Sequence, residues 1–191
     1  MQAPLLLAST STYRAQRLAS LGLNFEQAAP SCDETPKEHE PAKALALRLA
    51  RTKASSLSMD FPNHLIIGSD QTAATPDGQA LSKPGTPERA CAQLLACSGQ
   101  TVVFHTAVAL AGPITDTWLV DTEVRFRDLN QAEIERYIER EQPLDCAGSF
   151  KVEALGITLF DWVRSDDPNA LIGLPLITLS QRLRQAGYAL P

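Results

Sequence analysis

The stretch Leu5-Leu6-Leu7-Ala8-Ser9-Thr10-Ser11-Thr12-Tyr13-Arg14 decides the fold class. Leu5 to Ala8 reads as a buried strand, and the hydroxyl residues that follow supply helix caps before a run carrying Leu18 and Leu21. Strand, polar turn and helix in this order leave free N–H groups and a positive dipole end where an anion can bind. Arg14 falls in the first turn, where a cation opposes the dipole by about 0.3–1 kcal/mol. A bound anion reverses that penalty. Taken alone, these ten residues have a plainer reading as a capped helix with a solvated arginine.

The same alternation continues outward. Pro41 opens a second helix on which Leu45, Leu49 and Leu57 share a period that ends near Ser58. His64 to Ile67 is a short apolar run, a strand whose end meets a turn at Gly68-Ser69-Asp70, and Pro76-Asp77-Gly78 signals a hairpin. Thr86-Pro87-Glu88 is an N-cap, an N1 proline and an acidic first turn for a helix through about Cys97, stopped at Gly99. Thr101 to Ala111 and Trp118 to Arg127 read as longer strands, with a turn beginning at Gly112-Pro113. Asn130 caps a helix from Gln131 to Glu141, Ile157 to Phe160 reads as a strand, and Pro175 opens a last helix carrying Leu176, Leu179 and Leu183. Strands and helices mixed with hairpins predict an α/β protein with a mixed sheet and flanking helices, one structural domain over 1–191 with two lobes around a cleft.

Composition narrows the function. The 191 residues carry 17 Lys and Arg against 22 Asp and Glu, a net charge of −5, which argues against a protein that grips polymeric nucleic acid through many phosphates. A small phosphorylated ligand is compatible with bulk acidity, because a few cations in one cleft dominate the local field. Four scattered cysteines and three scattered histidines form neither a disulfide framework nor a zinc spacing, which points to a reduced, cytoplasmic setting. The apolar run near the N-terminus is too short for a secretory signal, and no stretch approaches a bilayer span. Phosphate-loop, GxGxxG, GxSxG and HExxH motifs are absent, so kinase, dehydrogenase, serine-hydrolase and zinc-protease readings lose support.

Further candidates lie along the chain. If the hairpin turns between Asp77 and Gly78, positions summing to 155 face each other, with Thr72 opposite Lys83 and Asp70 one diagonal step, roughly 7 Å, away. Asp70 would then position a water or a metal while Lys83 meets a phosphate. Glu34, beside Asp33, offers a carboxylate to a divalent ion, and Lys53 sits at helical spacing from Leu45 and Leu49 within reach of a phosphate. Glu153, after Cys146-Ala147-Gly148-Ser149-Phe150-Lys151-Val152, can accept two hydrogen bonds from the N1 and N2 donors of a guanine edge. Each has a plainer reading in isolation: a turn aspartate, an edge-strand lysine, a charged loop, a snorkelling lysine or a solvated loop glutamate.

Together, Leu6-Leu7-Ala8-Ser9 with Arg14, Asp33-Glu34-Thr35-Pro36, Arg48-Leu49-Ala50 with Lys53-Ala54, Gly68-Ser69-Asp70 and Lys83-Pro84 resemble the Maf family of nucleotide pyrophosphatases. Ser98-Gly99, Ala147-Gly148 and Gly173-Leu174-Pro175-Leu176 extend the likeness over about Leu5 to Leu183. The resemblance implies hydrolysis of a nucleoside triphosphate between its α- and β-phosphates, with a divalent cation, Mg²⁺ or Mn²⁺. It implies Asp70 as proton acceptor, Ser9 and Arg14 at the phosphates, Lys53 and Lys83 neutralising developing charge, and Glu34 with Asp70 holding the metal. Tyr13, Gln71 and Glu153 fall at the positions that set base choice, and an aromatic residue, Gln and Glu there are similar to the 7-methyl-GTP branch rather than the dTTP/UTP branch. Tyr13 stands where that branch often carries Trp. A homodimer is left open, no membrane partner is implied, and the rival readings are a non-catalytic nucleotide-binding regulator of cell division and a metal-dependent phosphatase of small esters.

Overall fold

The structure is a computed structural model that describes residues 2–78 and 80–191. Six strands, β1 (Leu5–Ala8), β2 (Glu26–Ala28), β3 (Leu65–Ala74), β4 (Thr101–Ala111), β5 (Asp116–Phe126) and β6 (Phe160–Ser165), are hydrogen-bonded in the order β2-β1-β3-β4-β5-β6. Among the described residues five α-helices, α1 (Thr12–Ala19), α2 (Ala42–Ser55), α3 (Pro87–Cys97), α4 (Gln131–Glu141) and α5 (Leu176–Gln185), intervene. β1 runs parallel to both β2 and β3, whereas β5 and β6 are antiparallel, so the sheet is mixed as expected.

The chain divides into two compact units, one of residues 1–70, 106–120 and 167–191, the other of 71–105 and 121–166. In the first, the period-2 alternation of strands sends side chains to two covered faces. Leu5, Leu7, Leu65, Ile67, Val108 and Leu110 pack with Leu18 of α1 and with Leu176, Leu179 and Leu183 of α5. Leu6, Ala8, Ile66, Ala107 and Ala109 pack with Ala46, Ala50 and Ala54 of α2. The second face is lined by small residues, and there α2 comes close to the sheet.

In the second unit α3 packs on α4, and Phe104, Phe126, Phe150 and Phe160 meet edge to face. Ring centroids 4.9 to 5.8 Å apart are the separations that the aromatic quadrupole favours. Helix starts follow the predicted caps: Ser11 accepts from Arg14 N, Thr86 from Arg89 N, and Asn130 with Glu133 completes a capping box.

Three local expectations are corrected. Gly68-Ser69-Asp70 is no turn, since β3 runs straight through to Ala74. A Cβ on Gly68 would lie 2.3 Å from Ala50 O and 2.5 Å from Ala54 N, so this glycine permits close approach of α2 to the strand rather than a bend. The hairpin register sums to 154, not 155, with Ala74 bridging Ala80 and Leu81 N donating to Ala73 O. The regular ladder goes no further, so the Thr72–Lys83 pairing does not form, and Pro84, lacking an N–H, cannot extend it. Finally, residues Leu155–Leu159 form a 3-10 helix, and the strand expected over Ile157 to Phe160 begins only at Phe160.

Candidate active site

Strand β1 ends at Ala8, and Ser9 follows it almost fully buried. Ser9 Oγ accepts from Ser11 N at 3.1 Å, and Gln27 of β2 holds the Ser9 carbonyl through its Nε2 at 2.7 Å. Parallel pairing of Leu7 with Gln27 puts that amide at the right level. One helical turn on, the partly buried Arg14 donates from Nε to Gly173 O at 3.0 Å and from Nη1 to Ser9 Oγ at 3.4 Å. Gly173 has φ 108°, a left-handed conformation, and a Cβ on it would come 3.3 Å from Arg14 Nε. Its carbonyl also accepts from Ser69 Oγ at 2.9 Å, so Ser69, in β3, and the Gly173 turn together aim the guanidinium.

On the α2 side of β3 lie Gly68 and Asp70, two residues apart and therefore on one face. The close approach allowed by Gly68 sets Lys53 of α2 with its Nζ 2.7 Å from Asp70 Oδ1. The same ammonium is 3.0 Å from Glu34 Oε2. Lys53 and Asp70 are each only 6% exposed, while Glu34 reaches in from a loop whose side chain is 57% exposed. Burial pushes the Asp70 carboxyl above the usual carboxylate range, against the opposing pull of Lys53 and Arg14. Burial likewise lowers Arg14, opposed by the charges of Asp70 and Glu34. A carboxylate raised by desolvation, with cations acting on it, has the chemistry to accept a proton.

Five of the predicted residues, Ser9, Arg14, Glu34, Lys53 and Asp70, therefore gather in the first unit. Tyr13 belongs to the same unit, at the second position of α1. Gln71, Lys83 and Glu153 belong to the second: Gln71 in β3, Lys83 on the exposed irregular segment after Leu81, and Glu153 on an exposed turn before the 3-10 helix Leu155–Leu159.

A family model described as Maf-like protein matches residues 4–186. The chain belongs to the Maf family. This Maf protein is 55% identical over 192 residues to the 7-methyl-GTP pyrophosphatase of Xanthomonas oryzae pv. oryzae (strain KACC10331 / KXO85), with 100% of both chains covered. It is 51% identical to the 7-methyl-GTP pyrophosphatase of Nitrosococcus oceani, covering 96% of this chain and 94% of that one. A HAM1 protein from Coxiella burnetii shares the fold at 17% identity and a TM-score of 0.52, over 96% of this chain and 99% of that one.

Several contributors to the candidate site went unread in the sequence. Gln27, Ser69 and the Gly173 carbonyl work through backbone contacts across 18 to 159 positions, which no local pattern signals. Asp167, 2% exposed, accepts from Ile177 N at 2.5 Å and Asn169 N at 2.8 Å, so it caps α5 from outside and fixes the Gly173 turn between them. An Asp-x-Asn preceding a helix by several residues is a weak signal of this kind.

Proposed function

We propose that this Maf protein hydrolyses 7-methyl-GTP to 7-methyl-GMP and diphosphate, with all 191 residues acting as one catalytic domain in the cytoplasm. The observation that carries the reading is the buried Lys53–Asp70 ion pair, with the exposed Glu34 carboxylate on the same ammonium and the charge of Arg14, at the start of α1, acting on Asp70. The names of the relatives supply the base.

The chemistry follows from the groups. Ser9, between β1 and the N-cap Ser11, and Arg14, in the first turn of α1, bind phosphate oxygens, where the helix end adds to the attraction. Asp70 takes the proton from a water that attacks the phosphoanhydride, the α–β bond breaks, and diphosphate leaves with its new charge balanced by Lys53 and Lys83. Among the described residues no three His, Cys, Asp or Glu gather as a ready metal cage. Two carboxylates nevertheless suit Mg²⁺ or Mn²⁺, since a hard cation takes one or two protein carboxylates and completes its shell with phosphate oxygens and water. Glu34 and Asp70 would hold it, and its chemistry there is to withdraw charge from the phosphate oxygens. Among the described residues no helix is long and apolar enough to cross a membrane.

Base choice rests on Tyr13, Gln71 and Glu153. N7-methylation puts positive charge on the purine, which an aromatic face attracts by about 0.5–2 kcal/mol and a carboxylate balances. The test is a panel of nucleoside triphosphates with Mg²⁺ or Mn²⁺, reading released diphosphate and orthophosphate. Diphosphate with 7-methyl-GTP as the best substrate is expected. Preference for dTTP or UTP sinks the base assignment, orthophosphate indicates a phosphatase, and no release indicates a regulator.

A further inference from the structure

We propose that Gln93 positions Lys83 for the reaction, through a hydrogen-bonded relay from Ser149 to the Ser82 carbonyl; this rests on the function proposed above. Lys83 has no regular secondary structure to hold it. The ladder of the hairpin ends at Leu81 N–Ala73 O, and α3 begins only at Pro87. Yet the segment between is tethered at two points besides that end. Gly85 N donates to Leu144 O at 3.0 Å, and Gln93 Nε2, from α3, donates to the Ser82 carbonyl at 3.0 Å. The second tether grips the peptide unit that joins Ser82 to Lys83 itself. The lysine side chain is exposed and makes no ion pair among the described residues, so its ammonium is available to an anion while its backbone is held.

Gln93 is in turn fixed from its other side. Ser149 Oγ donates to Gln93 Oε1 at 2.6 Å. A carbonyl such as Ser82 O only accepts, so the amide must turn its NH₂ toward Ser82 and its oxygen toward the serine, and neither role can be exchanged. Ser149 is fully buried with φ 62°, a left-handed conformation uncommon for a non-glycine residue. Gly148 before it has φ 78°, and a Cβ there would come 3.1 Å from both the Phe104 and Phe150 rings. The aromatic cluster thus sets the Ser149 turn, the turn sets Gln93, and Gln93 sets Lys83. Ser149 also starts the segment that leads to Glu153, so one amide ties the phosphate-facing lysine to the base-reading loop.

The experiment is a double-mutant cycle of Gln93→Ala and Lys83→Ala, with kcat and KM for 7-methyl-GTP and thermal melts on each variant. Gln93→Ala is expected to lower kcat by about 10-fold, within the ~10²-fold that roughly 1 Å of misplacement can cost, with KM changed less. On the Lys83→Ala background the same substitution should change kcat by less than about twofold, because coupled residues are not additive. Gln93→Glu keeps the acceptor for Ser149 but loses the donor to Ser82, so it should match Gln93→Ala rather than rescue it. Additive effects, rescue by Gln93→Glu, or wild-type kcat in a folded Gln93→Ala protein would overturn the relay. These failures leave diphosphate release by the wild type intact, whereas a wild type that releases none overturns the function itself.

Discussion

The two units carry their charged groups in opposite ways. In the first, Lys53 and Asp70 are buried between a helix and a strand and bonded to each other at 2.7 Å. In the second, Lys83 and Glu153 stand exposed on irregular segments, and for Lys83 what is fixed is the peptide unit before it, held through Ser82 O. The difference fits the role proposed for each group. A proton acceptor needs a set basicity, which burial supplies, and a set distance, which close packing supplies. Groups that meet a polyphosphate or a purine edge need water-accessible charge on a held main chain.

The sharpest way to break this division is at Asp70. Asp70→Asn keeps shape and a hydrogen-bonding group but removes the base, so kcat should fall by about 10²–10⁴-fold with nucleotide binding largely retained. The sign of the pH dependence follows from the raised carboxyl. As pH falls through that raised value the carboxylate is protonated, so kcat should decline on an acidic limb lying above the ordinary aspartate range, and the Asn variant should lack the limb. Near-wild-type kcat in Asp70→Asn would remove the residue from its role.

Gly68 sharpens the packing half of the comparison. Gly68→Ala places a Cβ against the backbone of α2 at Ala50 and Ala54, neither of which can rotate away. Overpacking of this kind costs about 1–3 kcal/mol, and it also pushes Lys53 from Asp70. Denaturant unfolding should show the loss of stability, and kcat measured on folded protein should fall as well. A variant of native stability and kcat would mean that α2 does not rest on this glycine.

The exposed half is tested through the base. Glu153→Gln removes the charge that balances a methylated purine, and Tyr13→Ala removes a cation–π contact of about 0.5–2 kcal/mol, a few-fold to roughly thirtyfold in kcat/KM. Both should lower the preference for 7-methyl-GTP over GTP more than they lower activity on GTP. If the ranking is unchanged in both, base choice lies elsewhere.

What the sequence made legible divides along the same line. Capped helices and the strands Leu5–Ala8 and Thr101–Ala111 announce themselves locally, through hydroxyl caps, an N1 proline and apolar runs. Glycine was the ambiguous letter: in Gly68 the same residue that marks turns instead marks a helix lying against a strand, and only the position of α2 tells the two apart. The charged residues of the candidate site stand in ordered motifs. The partners that aim them, Gln27 on Ser9, the Gly173 carbonyl on Arg14 and Gln93 on Ser82, act through long-range contacts with main chain and leave no pattern in neighbouring residues.

The smallest expected effect concerns the loop that brings Glu34 to Lys53. Arg48 of α2 clamps Glu40 with Nε and Nη2, each at 2.7 Å, and donates from Nη2 to Thr35 O at 3.0 Å, while Lys37 N donates to Glu40 Oε2 at 3.0 Å. The Arg48 hydrogen bonds, with help from Lys37 N, lower the Glu40 carboxyl to about 2. A lowered carboxyl stabilises the fold at pH values above the ordinary glutamate range, and that contribution is lost as pH falls through about 2. The Lys37 amide should therefore report a titration near that value by NMR rather than near the ordinary glutamate value of ~4.3. Glu40→Gln keeps an acceptor but weakens the clamp, and because Glu40 has no contact with Lys53 or Asp70 among the described residues, kcat should change by less than about threefold. The more sensitive readout is the concentration of Mg²⁺ or Mn²⁺ needed for half-maximal rate, which should rise as Glu34 is held less firmly. A Lys37 amide that titrates in the ordinary glutamate range would show that Arg48 does not clamp Glu40 in solution. An unchanged metal requirement in Glu40→Gln would separate the clamp from Glu34.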